Sequence, residues 1–376
     1  MNDFYCAAPW RGLHINPRGD VKTCCAGDPN MLGNLNEHSI EQILHGPVMQ
    51  QIRQTLRQGR PHDRYCYNCV QAERYGRSER DWHNNVNPDF DSMQVTDLEH
   101  LPVLIDLRWN TTCNLSCNYC GEKCSSKWAS LKGTAVKSGA RPYLDLVCEY
   151  LRQHQHHIKE VALVGGEPLL LPENERILDV VPADCTITLI TNLSVDFQRN
   201  AIVAKLLQRD RVGWSMSFDN IGPRFEYVRH GASWTLLQTN LSRVQAQFGR
   251  GHWGGVHAVY NMYNATRLEE FVAWAKSQAL ETHWQSLYQP ACLDPLKHQP
   301  AIRDLAQQQL AMVLARSDLT VSERRFFLQA QTNFLTAPDN DMSLELKNHI
   351  REIESQYHTD QTGKFHELWP EISTLL

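Results

Sequence analysis

The sequence predicts an α/β protein: a partial, TIM-like barrel of six β/α units, preceded by a small cysteine-rich α+β domain and followed by a helical region. Three observations carry that expectation. From about residue 100, short apolar runs alternate with amphipathic helices, the rhythm of a parallel β/α sheet or barrel. Before about residue 98 the chain is rich in Gly, Pro, Asn and Cys, and after Pro290 the strand-like runs stop. The expected units are residues 1–97, 98–295 and 296–376.

In the first unit, HINPRGDVKTCC reads as a hairpin: His14 and Ile15 enter a turn at Pro17 to Asp20, and Val21 to Cys24 return. Two short helices follow, Ser39 to His45 and Val48 to Gln58, ahead of Cys66 and Cys69. The stretch 84–92, NNVNPDFDS, has linker composition. The six strands of the second unit are Val103–Leu107, Val161–Val164, Thr186–Ile190, Val212–Phe218, Val256–Tyr260 and His283–Leu287. Between the first two lies a helix whose Leu144, Val147, Cys148 and Leu151 form one apolar stripe, which makes Cys148 a core residue. His257 and Gln285 fall within strands and are candidates to face the barrel interior. In the third unit AIRDLAQQQLAMVLA, SERRFFLQAQTNFL and MSLELKNHIREIESQY read as helices.

The bulk composition narrows the function classes. With 376 residues, 42% hydrophobic and 9% aromatic, the chain has enough apolar side chain for two or three packed units. Its net charge of −5 offers no global basic field for nucleic acid or an anionic membrane, so a peptide or small-molecule substrate is expected. No signal-like N-terminus precedes the chain's first cysteine, and no run reaches the roughly 18 apolar residues of a membrane span. A cytoplasmic location follows as an expectation, and its twelve cysteines are then metal-ligand candidates rather than disulfide partners.

Cys113, Cys117 and Cys120 stand directly after the first strand of the barrel, in NTTCNLSCNYC. Catalytic groups of β/α barrels gather at such strand ends, and short cysteine spacings suit an iron-sulfur cluster. Three thiolates leave one iron of a 4Fe-4S cluster open to another ligand. Cys124 lies four residues further on, so a four-thiolate zinc site is the alternative. Gly165-Gly166-Glu167-Pro168 follows the second strand; glycines permit close backbone approach to a ligand, and a carboxylate suits a bound ammonium.

The Cys-x3-Cys-x2-Cys run with Tyr119 before its last cysteine resembles the signature of the radical S-adenosylmethionine (SAM) superfamily, and the GGEP motif one β/α unit later strengthens the likeness. The resemblance implies that the open iron chelates SAM, whose cleavage gives a 5′-deoxyadenosyl radical that abstracts hydrogen from an organic substrate. It implies Tyr119 near the adenine and Gly165 to Pro168 near the SAM amino group. Thr191-Asn192 and Ser217-Phe218-Asp219, after the third and fourth strands, resemble positions that touch SAM ribose or carboxylate, while caps and turns remain the plain reading. Arg229, in RFEYVRHGASW, resembles an arginine that faces the SAM carboxylate or the substrate; an exposed helix-end arginine is the alternative.

A second cysteine set runs Cys6-x12-Gly19-x4-Cys24 and then Cys66-x2-Cys69. With Pro9-Trp10 and Leu32-Gly33-Asn34-Leu35 it resembles the auxiliary-cluster domain of SPASM and Twitch radical SAM enzymes, here placed before the barrel instead of after it. The resemblance implies a second 4Fe-4S cluster on four thiolates, with Cys25 an alternative ligand and a zinc knuckle the competing metal site. Such enzymes include peptide maturases and aminosugar dehydrogenases, and the resemblance implies an electron donor such as flavodoxin or ferredoxin. A tRNA-modifying enzyme and a non-catalytic metal-binding protein are the other readings, the first opposed by the net charge.

Overall fold

A computed structural model describes residues 4–73, 79–91, 102–134, 142–287, 289–337, 340–359 and 363–376. Nine strands form one sheet: β1 (Gly12–Ile15), β2 (Asp20–Lys22), β3 (Gly33–Asn34), β4 (Leu104–Arg108), β5 (Glu160–Val164), β6 (Thr186–Thr191), β7 (Val212–Ser217), β8 (His252–Tyr260) and β9 (Thr282–Ser286). Their order is β3-β2-β1-β4-β5-β6-β7-β8-β9. The six strands expected from the apolar runs are β4 to β9, side by side and parallel, each pair joined through at least one helix.

The expected hairpin forms, with His14 opposite Lys22, but it does not stand apart from the larger sheet. β1 pairs in parallel with β4, from Gly12 beside Leu104 to Ile15 beside Leu107. The reason lies in packing: Leu13, Ile15 and Val21 are buried in the same core as Ile105, Leu107, Val147, Val161 and Leu163. A paired β4 edge also satisfies backbone groups that an edge strand leaves open. The boundary expected between residues 97 and 98 lies outside the described residues. Part of the expected linker is helical (Glu79–Asn85), and Phe90 is buried with its ring 5.9 Å from that of Trp10.

Alternation along the strands sorts the two faces of the sheet. Ile105, Leu107, Val161, Leu163, Ile187, Leu189, Trp214, Met216, Val256 and Ala258 enter the core beneath the helices. The intervening positions, among them Asp106, Arg108, Glu160, Thr188, His257 and Gln285, belong to the opposite face. Cys148 is buried on the helix Leu144–Gln153, among the same core residues.

Three long helices follow the last strand as expected: Pro300–Leu314, Val321–Leu335 and Ser343–Glu352, the last continuing into a π-helical turn, Ile353–Tyr357. Thr320 and Glu323 form a capping box at the second of these. Among the described residues no helix is long and apolar enough to cross a membrane.

Candidate functional site

The loop carrying Cys113, Cys117 and Cys120 leaves the C-terminal end of β4 and is held by backbone bonds from two directions. Ser116 N donates to His230 O at 3.1 Å and Asn118 N to Val228 O at 2.8 Å, which ties the loop to the segment after β7. Trp128 Nε1 donates to Cys117 O at 2.9 Å, and Ser125 Oγ to Leu115 O at 2.7 Å. From the β5 side, Glu167 N donates to Thr112 O at 2.8 Å. Gly166 permits that approach, because a Cβ there would stand 2.2 Å from Thr112 O. The glycines of GGEP thus bring the turn after β5 against the cysteine loop itself. Gly165 has φ +137° and is exposed at the strand ends.

Cys117 is buried, Cys113 and Cys120 are half-buried, and Cys124 is exposed. Burial, then the neighbouring Cys117, pushes the Cys113 thiol up to about 12. Burial also raises Cys117, against the pull of Arg229. Cys120 and Cys124 share a hydrogen bond that raises Cys120 and draws Cys124 down to about 6. Thiolates must form before a metal binds, so loading this loop would release protons.

Glu167 is wholly buried, and its carboxylate is engaged within the chain. Oε1 accepts from Leu169 N (3.1 Å) and Thr191 Oγ1 (2.7 Å), and Oε2 accepts from Asn192 N (2.7 Å). Burial nevertheless pushes its carboxyl up to about 7. Within the chain, that carboxylate forms a clasp between the ends of β5 and β6. Pro168 is buried beside it, its carbonyl accepting from Asn174 Nδ2. Asn192 reaches the other way: Nδ2 donates to Asn114 Oδ1 at 3.0 Å and lies 3.9 Å from Cys113 Sγ. Asn114, whose own Nδ2 donates to Ser194 O, belongs to the site although no spacing rule singles it out.

Arg229 stands at the C-terminal end of the helix Gly222–Val228, as the alternative had it, but is buried and not exposed. Its Nη1 lies 4.0 Å from Cys117 Sγ, its Nη2 3.6 Å from Asp219 Oδ2, and its guanidinium 5.5 Å over the Tyr119 ring. Tyr119 donates its hydroxyl to Asp219 Oδ2 at 2.9 Å. Burial works against the Arg229 charge, but Tyr119, Asp219 and Cys117 keep it protonated. Burial likewise raises the Asp219 carboxyl against the pull of Arg229. Two buried atoms of this group, Arg229 Nε and Asp219 Oδ1, have no hydrogen-bond partner. Ser217 stands half-buried at the end of β7.

The second set also converges. Cys6 precedes the helix Ala8–Arg11, Cys24 follows β2, Cys66 precedes the helix Tyr67–Glu73 and Cys69 lies on it. All four line one small cavity with Phe4, Thr23, Gly27 and Tyr65. Burial, then mutual repulsion, pushes Cys24 up to about 12 and raises Cys6 well above the ordinary thiol range. Burial lifts Cys66 to about 11 and raises Cys69 as well. Cys25 is not among the lining residues; burial and Glu79 raise its thiol. The buried Tyr65 hydroxyl, bonded to Thr23 N and Thr23 Oγ1, fixes the strand end that carries Cys24. Among the described residues, no three His, Cys, Asp or Glu side chains are grouped as the ligands of one metal ion. A four-iron cluster makes a different demand, with four thiolates spread around a larger inorganic core.

Residues 6–70 match the SPASM family, an iron-sulfur cluster-binding domain. The matched stretch contains Cys6, Cys24, Cys66 and Cys69, so the cavity they line falls within it. No curated protein matches the chain in sequence. Among solved structures, native anSMEcpe with bound AdoMet is similar at 14% identity and a TM-score of 0.41, over 63% of this chain and 63% of that one. Streptococcus suis SuiB bound to S-adenosylmethionine is similar at 15% identity and a TM-score of 0.40, over 63% of this chain and 48% of that one. SuiB bound to precursor peptide SuiA gives 12%, 0.39, 77% and 51%. The chain thus spans less than two thirds of these structures' own length, and at such identities and scores nothing about its reaction follows from them.

Proposed function

We propose that this protein is a radical SAM enzyme in which Cys113, Cys117 and Cys120 hold a 4Fe-4S cluster with one open iron. The cysteines of the matched stretch, Cys6, Cys24, Cys66 and Cys69, would hold a second cluster. The observation that carries this reading is the convergence of the three-cysteine loop, the GGEP turn and the Arg229–Asp219–Tyr119 group at the ends of neighbouring parallel strands. The residues fit the cofactors: three thiols share one loop, and beside Cys117 a buried donor, Arg229 Nε, and a buried acceptor, Asp219 Oδ1, stand without partners. A polar ligand that both accepts and donates, as SAM does, would satisfy both.

When bound, the cluster and SAM supply hydrogen-atom abstraction from an organic substrate. The chain's own contribution is positional. The bonds from His230, Val228 and Trp128 fix the loop, the Glu167 clasp fixes the ends of β5 and β6, and Arg229 places a fixed cation beside Cys117. A peptide is the proposed substrate, since the family resembled by the second cysteine set includes peptide maturases; a sugar is the second possibility. A small reduced flavodoxin or ferredoxin is the proposed electron donor. The net charge of −5 disfavours the RNA-modifying reading.

Anaerobic reconstitution should give about eight irons per chain, four for each cluster. The reduced protein should then convert SAM to methionine and 5′-deoxyadenosine. A preparation with one zinc, no iron and no SAM turnover would sink the proposal in favour of a non-catalytic metal-binding protein.

A further inference from the structure

The helix Ser343–Glu352 and the π-helical turn after it deliver two histidines to the outer side of the cysteine loop. His349 Nε2 donates to Asn118 O at 3.1 Å. His358 Nε2 is hydrogen-bonded to Ser116 Oγ at 3.1 Å, and its ring is stacked on that of His230 at 3.8 Å and 11°. His230 is also the residue whose carbonyl accepts from Ser116 N. Ser116, adjacent to Cys117, is therefore gripped through both backbone and side chain by one stacked histidine pair. Tyr357 meets Trp128 edge-on at 5.2 Å, and Trp128 in turn bonds Cys117 O. The turn is itself anchored, because Glu354 Oε1 accepts from Tyr227 OH at 3.0 Å and from Phe365 N at 2.7 Å.

Ser116, Asn118 and His358 are all essentially sealed from water. A hydrogen bond sealed from water is strengthened by the low local dielectric and holds the groups it joins. The π-helical form adds to the argument: it is rare, and where it occurs it often marks a functional site. Here it sets His358 immediately after the turn, with His358 N donating to Ile353 O at 2.8 Å.

We propose that His358 and His349 are positioning residues for the cluster on Cys113, Cys117 and Cys120: residues 343–358 brace the loop from behind and fix the direction of its thiolates. Neither histidine is among the proposed iron ligands. The inference rests on the proposed function of the loop, and its test keeps the two separable. Groups that orient metal ligands typically cost about ten- to a hundredfold in metal affinity when removed.

The test uses full-length reconstituted protein and follows iron release to a chelator together with the electron paramagnetic resonance spectrum of the reduced clusters. His358→Phe keeps a ring for stacking but removes the nitrogen, and Ser116→Ala removes the same bond from the other side. The four irons of the three-cysteine loop should leave about tenfold faster in each variant, while those of the second cysteine set leave at the wild-type rate. The double variant should be no faster than either single one, since one bond is lost in all three. Unchanged release of all iron, or equal acceleration of both clusters, overturns the brace. Should His358→Phe fail to fold, Ser116→Ala alone decides between these outcomes. If wild-type protein holds only four irons, and Cys113, Cys117 and Cys120 can be replaced without losing any, the reading of the loop fails instead.

Discussion

The backbone N–H of Asn192 donates to Glu167 Oε2 at 2.7 Å, locking a fully buried carboxylate to the end of the neighbouring strand. Glu167→Gln would turn an amide NH2 towards donors that need an acceptor, at a cost of about 1–3 kcal/mol. Burial raises the Glu167 pKa from 4.5 to about 7, so its contribution to stability is full below pH 4.5 and is lost as pH rises through 7. The loss is on the order of 3 kcal/mol, and the Gln variant, which does not titrate, lacks it. Urea unfolding without SAM should show Glu167→Gln less stable at pH 5, with the gap narrowing towards pH 8. A gap independent of pH would mean that the clasp does not titrate in this range.

Gly166 and Gly121 offer a controlled contrast. A Cβ at Gly166 would lie 2.2 Å from Thr112 O and 2.6 Å from Thr111 C, whereas one at Gly121 would meet nothing within 4 Å. Gly166→Ala should cost about 3 kcal/mol, because only backbone displacement relieves the clash, and should lose the iron of the adjoining loop. Gly121→Ala should stay within about 0.5 kcal/mol of wild type. Melting temperature and iron content, measured together, check both.

The difference between what the sequence foretold and what it concealed has a physical basis. β4 to β9 were legible because each carries an apolar run with helical sequence on either side. The start of β8 was hidden by His252-Trp253-Gly254-Gly255, where Gly254 serves a close approach, its Cβ position lying only 2.6 Å from Trp214 O. The pairing of β1 with β4 joins segments some ninety residues apart, and no local pattern records it. The cysteine spacings were legible because ligand geometry demands them. Arg229 was singled out only through the resemblance, and its burial was not legible, since that depends on Asp219, Tyr119 and Cys117 arriving from other elements. His349 and His358 were concealed for the same reason.

On the proposed assignment, the cysteines separate into ligands and bystanders. Cys148 and Cys185 are buried among apolar side chains, so replacing either by Ala should leave iron and sulfide unchanged and cost about 1 kcal/mol. Cys24→Ala should remove about four irons, because it breaks a four-thiolate set, while Cys25→Ala should remove none. Iron loss from Cys25→Ala with retention in Cys24→Ala would reverse the assignment of these two neighbours.

Arg229 and Asp219 form the pair on which the chemistry of the loop should depend most strongly. Their Nη2 and Oδ2 are 3.6 Å apart, and both side chains are almost completely buried. Removing one partner of such a pair leaves a buried charge uncompensated, typically at about 3–5 kcal/mol. Arg229→Met should therefore destabilise strongly, and Asp219→Asn should do so through the stranded guanidinium. The double variant should be more stable than Arg229→Met alone, because no buried charge then lacks its opposite. A redox readout separates this from packing: the guanidinium stands 4.0 Å from Cys117 Sγ, where a cation favours the more negative, reduced cluster. The midpoint potential of the loop cluster should fall in Arg229→Met and recover part of the way in the double variant, where the opposing charge of Asp219 on Cys117 is removed as well. Additive stabilities together with an unshifted potential would mean that Arg229 is a packing residue and that Asp219, not the arginine, governs this corner of the site.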